Sequence, residues 1–358
     1  MKSSRYQKLW PSTALAVSLA LPWASVSWAG VVVEETLRVE GTGMMRFANM
    51  TGTTTTTVET DRARVESEIE MDSRLMRMAA RAAADAEIVR LDQGVVYELN
   101  LRRQRYSETS LAEQAEAMAE AREQMRNAQR AQQQGATGVN EGQCEWSEPV
   151  SSIDRSGELD NIAGFSAERV SFTTTQSCTL AEPAQVCEYR LTLDQWVTTD
   201  AAASEALAEL NAYRREYARQ LGLDMDTAGA FAQQGAAFMG GYESLWEELV
   251  AFASELEGHS LRSRMSLAIG GPECEAMRQA ESGMAGVGES IGSAVGGALG
   301  GVLGRQRDRG RRAEEEAESA PSGELVEFMS IQNETVSITR TTIEPSVFEV
   351  PADFRRAR

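Results

Sequence analysis

The alternation of apolar and polar positions along the chain predicts a series of short β-strands interrupted by a few amphipathic helices. The clearest strand pattern lies in residues 86–110, where three short segments are separated by turns. In the middle segment Val95, Tyr97 and Leu99 alternate with Val96, Glu98 and Asn100, the period of a half-buried strand. The turn before it contains Gly94, which takes a positive φ without steric cost.

Similar patterns predict strands in most of the remaining chain outside three helical segments. The strand-like ranges are 31–46, 51–60, 64–73, 143–199, 261–269 and 326–343. In the range 64–73, Val65, Ile69 and Met71 share one face, and three glutamates occupy the other. Leu261, Met265, Leu267 and Ile269 share one face of a later strand. The pattern therefore favours a β-rich protein.

Three segments have the period of α-helices. The helix predicted at 111–133 begins with a capping box of Ser110 and Glu113. A second, 201–221, is capped by Asp200 and ended by Gly222. A third begins at Thr227 and carries a seam spaced alternately by four and three residues. The seam comprises Phe231, Gly235, Phe238, Tyr242, Leu245, Leu249, Phe252 and Leu256. The seam indicates packing against the sheet or against 201–221; alternatively, part of it lines an apolar cavity.

The N-terminus has the features of a secretory signal peptide. Lys2, Arg5 and Lys8 precede an apolar run at 13–21 that is too short to span a membrane. Small residues at 27 and 29 predict cleavage before Gly30, so residues 1–29 are the signal peptide and 30–358 the mature domain. This pattern predicts export to the periplasm.

The chain is strongly acidic, and its charge argues against a nucleic acid as partner. Its 358 residues contain 35 basic and 54 acidic side chains, a net charge of −19. The three basic residues before position 30 would be lost on cleavage, leaving 32 arginines, no lysine and a net charge of −22.

Four cysteines, all after the predicted cleavage site, suggest disulfides in an oxidising compartment, with three possible connectivities. Cys178 and Cys187 flank a proline-containing loop between two predicted strands, which favours a bond between them. Cys144 and Cys274 would then pair. Metal ligation is not indicated, because the sequence has no Cys-x-x-Cys motif and a single histidine, His259.

The segment 283–320 combines glycines at every fourth position with a charged end. Its principal residues are Gly288, Gly292, Gly296, Gly300, Gly304, Arg305 and Arg307. One interpretation is a flexible linker. The other is a helix whose smooth glycine face lies on or in a membrane, with the arginines at lipid phosphates.

Enzymatic activity is the least supported class of function. A hydrolytic triad needs a base, and the one histidine, His259, follows the helix-ending Gly258. The glycine run lacks the lysine and hydroxyl residues of a phosphate-binding loop. No cofactor is indicated.

Five short segments, in their order, resemble an exported family of unassigned function within the LolA-like superfamily, the outer-membrane lipoprotein carriers and their relatives. The segments are YELNLRRQRYSE (97–108), IAGFSAERVSF (162–172), EYRLTLDQWVT (188–198), GHSLRSRMSL (258–267) and SVFEVPADF (346–354). The resemblance implies an α+β fold in which a curved antiparallel sheet, an unclosed barrel, wraps over helices. It implies one LolA-like domain, 30–358, with helical insertions at 110–135 and 201–257 and the Gly-rich insertion at 283–320.

Carriers of this superfamily hold lipid chains between sheet and helices, and the family offers no catalytic motif. The expected function is therefore a non-enzymatic envelope protein that binds a lipid-like or other hydrophobic partner. The residues expected to line the site are Phe231, Gly235, Phe238, Tyr242, Leu245, Met265 and Leu267. The alternative is a periplasmic scaffold whose Gly-rich arm associates with membrane or with partner helices.

Overall fold

A computed structural model describes residues 30–73, 77, 85–134, 144–180, 185–223, 243–271, 274 and 325–357. Within them the chain forms thirteen strands of one sheet, three α-helices and two 3₁₀-helices, Gly43–Ala48 and Pro345–Phe348. The helices are α1 (Leu111–Gln134), α2 (Ala201–Gln220) and α3 (Glu243–Glu255). The strands are β1 (Gly30–Gly41), β2 (Met50–Glu59), β3 (Arg62–Met71), β4 (Ala86–Arg90), β5 (Val95–Asn100), β6 (Arg105–Ser110), β7 (Cys144–Trp146), β8 (Val150–Ile162), β9 (Phe165–Leu180), β10 (Gln185–Thr198), β11 (His259–Gly270), β12 (Val326–Thr341) and β13 (Arg355–Arg356).

The sheet is large, curved, unclosed and almost entirely antiparallel. Its order is β13-β6-β5-β4-β3-β2-β1-β12-β11-β10-β9-β7, and β8 pairs with β9 beside β7. β1 pairs along its whole length with residues 329–341 of β12 and joins the N-terminal and C-terminal parts of the chain at the centre of the sheet. The predicted α+β class is confirmed at this level.

Short turns set the register of the hairpins. Gly94, with φ +66°, lies in the predicted turn between β4 and β5. Ala163 and Gly164, both with positive φ, join β8 to β9. The predicted strand 31–46 instead ends at Gly41, because the 3₁₀-helix Gly43–Ala48 begins there; a Cβ at Gly41 would lie 2.5 Å from Met45 Cβ.

The helix ends follow the predicted caps. Ser110 Oγ accepts a hydrogen bond from Glu113 N at 3.1 Å, and Glu113 Oε2 accepts one from Ser110 N at 2.9 Å, so the capping box is complete. Asp200 Oδ1 accepts from Ala202 N at 2.7 Å and caps α2. Gly222, with φ +65°, follows the end of α2.

The inner face of the sheet, defined here as the face against which α2 and α3 pack, carries two buried clusters. The outer face is covered over β3–β6 by the C-terminal segment. Phe348 is fully buried there, and the Arg62 guanidinium lies 5.0 Å from the centre of its ring. Arg64 donates a hydrogen bond to the Val347 carbonyl at 3.2 Å. The C-terminal segment, which includes Pro345–Phe348, therefore covers this part of the outer face.

Farther along the outer face, Trp196 lies between two arginines. The guanidinium carbons of Arg169 and Arg262 are 5.5 and 5.0 Å from its ring centre. Arg262 also donates to Glu334 at 2.8 Å and to Asp160 at 2.7 Å. These ion pairs and cation–π contacts link β8 to β12 on the outer face.

Candidate hydrophobic binding site

Two rows of side chains run across the inner face at right angles to the strands. The first row joins direct cross-strand partners from β3 to β9, namely Met71, Met50, Val39, Ile331, Met265, Leu193 and Phe172. The second row lies two residues farther along each strand and contains Ile69, Gly52, Leu37, Asn333 and Ser263. Because side chains of alternate residues point to the same face, both rows lie on the inner face.

α3 covers the end of the first row that lies on β9 and β10. Leu245 and Leu249 are fully buried against a cluster that includes Leu193 and Phe172. The ring of Phe252 stacks on that of Phe172, with 4.8 Å between their centres. This end of the row is a packed core.

α2 crosses the inner face nearer the turns that join β2 to β3 and β4 to β5. Leu207, Leu210 and Tyr213 are buried in a cluster with side chains of β1–β5. Glu209 accepts a hydrogen bond from Thr60 N at 2.7 Å, and Glu205 accepts one from Arg340 at 2.8 Å. These bonds fix α2 across the central strands.

Outside the clusters beneath α2 and α3 a group of apolar side chains is less covered, and we call it the open patch. Its members are Leu37, Met50, Ile69, Met71 and Ile331. Ile69 is 45 % exposed and the others are half-buried, whereas Val39, between Met50 and Ile331 in the first row, is 7 % exposed. None belongs to the three buried clusters formed by the described residues. Two methionines give the patch soft side chains that adapt to irregular apolar partners.

A polar row separates the open patch from the part of the sheet beneath α2. It consists of Ser67, Thr54, Glu35 and Thr335, which are direct partners on β3, β2, β1 and β12. Thr54 Oγ1 lies 3.3 Å from Ser67 Oγ. Arg214 of α2 approaches Glu35 at 3.9 Å. Hydroxyl and charged groups therefore border the apolar side chains.

Two carboxylates extend the polar region toward β5. Glu87 and Glu98 are direct partners on β4 and β5, and Glu98 accepts a hydrogen bond from Ser107 at 3.0 Å. Burial raises the pKa of Glu87, and the facing Glu98 carboxylate raises it further. Burial also raises the pKa of Tyr213, and it raises the pKa of Tyr217 to about 12, so both phenols remain neutral donors at neutral pH.

The arrangement suits an amphipathic molecule. The open patch offers surface to an alkyl chain, for which each buried methylene contributes about 0.8 kcal/mol. The polar row and Arg214 offer hydrogen-bond donors and acceptors to a head group beside it. In the described part of the chain, no group of three or more histidine, cysteine or acidic side chains is placed to hold a metal ion.

The predicted site residues fall into three groups. Met265 lies in the first row, directly opposite Ile331 of the open patch. Leu245 and Leu267 are 0 % and 5 % exposed within the cluster beneath α3. Phe231, Gly235, Phe238 and Tyr242 lie outside the described residues. The residues of the open patch were not among the predicted site residues. The sequence had predicted only that Ile69 and Met71 share one face of a strand.

The predicted disulfides Cys178–Cys187 and Cys144–Cys274 are wrong, because Cys187 bonds to Cys274. Cys178 and Cys187 are direct cross-strand partners, as the hairpin required, but each is engaged in another disulfide. β11 ends at Gly270 beside β10, and Gly271, with φ +125°, turns the chain back. Cys274 N then donates to the Gly271 carbonyl at 3.2 Å, which places Cys274 at Cys187.

The residues predicted to associate with a membrane, Gly288, Gly292, Gly296, Gly300, Gly304, Arg305 and Arg307, lie outside the described residues. Their role stays a prediction. Among the helices that the structure describes, none is both long enough and apolar enough to cross a membrane.

His259 has a contact that the sequence did not indicate. Its Nε2 lies 3.2 Å from Ser204 Oγ in the first turn of α2. The contact ties the start of β11 to α2.

Comparison of the chain with models of known protein families, with curated proteins and with solved structures gives no match in any of the three.

Proposed function

We propose that the protein is a non-enzymatic, exported carrier with a LolA-like sheet, and that it binds a lipid-like ligand on the open patch. The ligand's apolar chain lies along Leu37, Met50, Ile69, Met71 and Ile331. Its polar head lies at the row formed by Ser67, Thr54 and Glu35, near Arg214.

One observation carries the proposal, namely that apolar side chains of a single row differ in burial. Leu193 and Phe172 are 1 % and 2 % exposed beneath α3, whereas Met50 and Met71, in the same row, are half-buried. Contiguous apolar surface on a protein often serves binding. The polar border next to this surface favours an amphipathic ligand over a purely apolar one.

Export to the periplasm is part of the proposal. It is supported by the signal-peptide pattern, which ends where β1 begins at Gly30. A structural disulfide such as Cys187–Cys274 is compatible with an oxidising compartment.

The test begins with protein purified from the envelope of its own host. Intact-mass analysis checks for a mature chain that begins at Gly30, and native mass spectrometry checks for a bound lipid. Displacement of a fluorescent fatty acid then measures affinity for the unmodified protein and for Ile69→Asp and Leu37→Asp. We expect at least a tenfold loss for each variant, because a buried carboxylate opposes an apolar chain.

Val336→Asp is the matched control, because Val336 is 51 % exposed but lies at a bulge of β12 outside the open patch. It should bind the fatty acid like the unmodified protein. Absence of co-purified lipid together with absence of saturable binding would contradict a carrier and favour the scaffold. An equal loss in all three variants would show that binding does not occur at the open patch.

A further inference from the structure

The sheet has an edge at β8 that is suited to another strand. Among the described strands β8 pairs with β9 and with no other, so its second side has no backbone partner there. The register is regular where residues 150–155 lie opposite 175–170, and a bulge follows between Arg155 and Leu159. Gly157, with φ +71°, lies in that bulge. The regular edge is therefore about 20 Å long, at 3.3 Å per residue.

Next to this edge the inner face contains an open depression of about 300 Å³ between α3 and the β8–β9 hairpin, which we call the cavity. Its floor is the stacked pair Phe172 and Phe252, and Ile153 stands at its side with 51 % of its surface exposed. Its rim carries Glu248 and Glu255 of α3. The cavity thus combines an apolar floor with an acidic rim.

We propose that residues 150–155 bind an extended basic peptide segment of a partner protein by strand addition. The backbone of the segment pairs with β8. One of its apolar side chains enters the cavity beside Ile153, and its lysine or arginine side chains reach Glu248 and Glu255.

The geometry of strand addition explains why the partner needs one apolar side chain for the cavity and basic side chains for its rim. An added strand lies about 4.8 Å from β8, and every second side chain points to the inner face. Three consecutive inward side chains span about 13 Å, enough to place one over the cavity and two at its rim. Ser151 donates a hydrogen bond to Glu248 at 2.8 Å and holds that carboxylate at the edge.

Charge selects a basic partner over a second copy of this chain. Pairing of two copies through the same edge would place two rims of Glu248 and Glu255 on one face of the joined sheet. Each mature copy also carries a net charge of −22, so the copies repel one another. Within the edge the charges of Asp154 and Arg155 offset one another, and beyond it Glu158 is paired with Arg169 and Asp160 with Arg262, so these charges contribute less.

The test uses the mature chain and a labelled, terminally blocked peptide, Thr-Lys-Thr-Phe-Thr-Lys-Thr, which presents Lys, Phe and Lys on one face of a strand. Fluorescence anisotropy measures its affinity, and amide chemical shifts locate it. We expect saturable binding with shifts at residues 150–155. Replacing both lysines of the peptide by glutamate should weaken binding at least about tenfold.

Backbone pairing is tested by methylating alternate peptide nitrogens in two complementary sets. An added strand donates only every second N–H to its neighbour, so one set should lose binding while the other retains it. Equal affinity for both sets and for the parent peptide would overturn strand addition.

The matched protein variants are Glu255→Lys and Glu247→Lys, which reverse two exposed charges of α3. Glu255 lines the cavity and Glu247 does not. We expect a loss of about tenfold or more for Glu255→Lys and less than about twofold for Glu247→Lys. No saturable binding, equal effects of the two variants, or displacement of the peptide by a fatty acid bound at the open patch would overturn the proposal.

Discussion

Both ends of the first row on the inner face carry apolar side chains, but the side chains at one end are buried and those at the other are half-buried. Leu193 and Phe172 on β10 and β9 are buried beneath α3, whereas Met50 and Met71 on β2 and β3 are half-buried. Cross-strand pairing connects the two ends without interruption. The difference shows that apolar alternation sets which face is inner, while the segments that pack over each part of that face decide how deeply its side chains are buried.

The covered end is also cross-linked, and this link carries the largest expected effect. The double variant Cys187→Ala with Cys274→Ala opens a link between residues separated by 87 positions. The chain-entropy estimate for a loop of that size is a loss of about 4.6 kcal/mol in the free energy of unfolding. Urea denaturation measures it. Peptide mapping without reduction should recover Cys187 joined to Cys274, and a Cys178–Cys187 peptide would contradict the structure.

The next largest expected effect on stability concerns the packing beneath α3. Leu249→Ala removes a fully buried side chain and leaves a cavity, so we expect a loss of about 3 kcal/mol. Glu247→Ala on the exposed side of the same helix should change stability by less than about 0.5 kcal/mol. If both variants were equally mild, α3 would not be packed on the sheet in solution.

The open patch should tolerate truncation that the covered end does not. Ile69→Ala should cost less than about 1 kcal/mol, because the side chain is already 45 % exposed. Leu193→Ala, on the same face at 1 % exposure, should cost about 3 kcal/mol. A similar loss in both variants, measured by denaturation of lipid-free protein, would mean that the open patch is as tightly packed as the covered end.

The smallest effect concerns the carboxylate pair beside the polar row. Because burial and Glu98 raise the pKa of Glu87, its charged form is disfavoured in the folded state, and stability falls as pH rises through the pKa. Glu87→Gln should therefore stabilise the protein by about 0.5 kcal/mol at pH 7. The gain should disappear below the ordinary glutamate pKa of 4.5, where Glu87 is neutral in both states.

Glu68→Gln is the control for that change, since Glu68 lies exposed on the outer-facing side of β3. It should change stability by less than about 0.5 kcal/mol at pH 7, as expected for an exposed surface substitution. A stabilisation of Glu87→Gln that persists unchanged at low pH would show that charge is not its cause.

The sequence by itself determined the local elements. Alternation located the strands around Val95–Leu99 and Leu261–Ile269, and Gly94 fixed a hairpin turn. The capping residues Ser110 and Asp200 located the helix starts. These features depend on residues only a few positions apart, so the identities of neighbouring residues are enough to predict them.

Only the tertiary structure decided which distant segments meet. Cys187 bonds to Cys274 because β11 ends beside β10 and the chain turns back at Gly271, a geometry that spacing along the sequence does not encode. For the same reason Ile69, Leu37 and Ile331 form one patch, although they come from three strands and nearly 300 residues of chain separate the outermost two. β8 is an edge for a similar reason, since an edge is defined by the absence of a described neighbour and not by the residues of the strand itself. The alternation of apolar and polar residues is compatible with many strand registers. Long-range pairing selects one of them, and that register determines which side chains are buried.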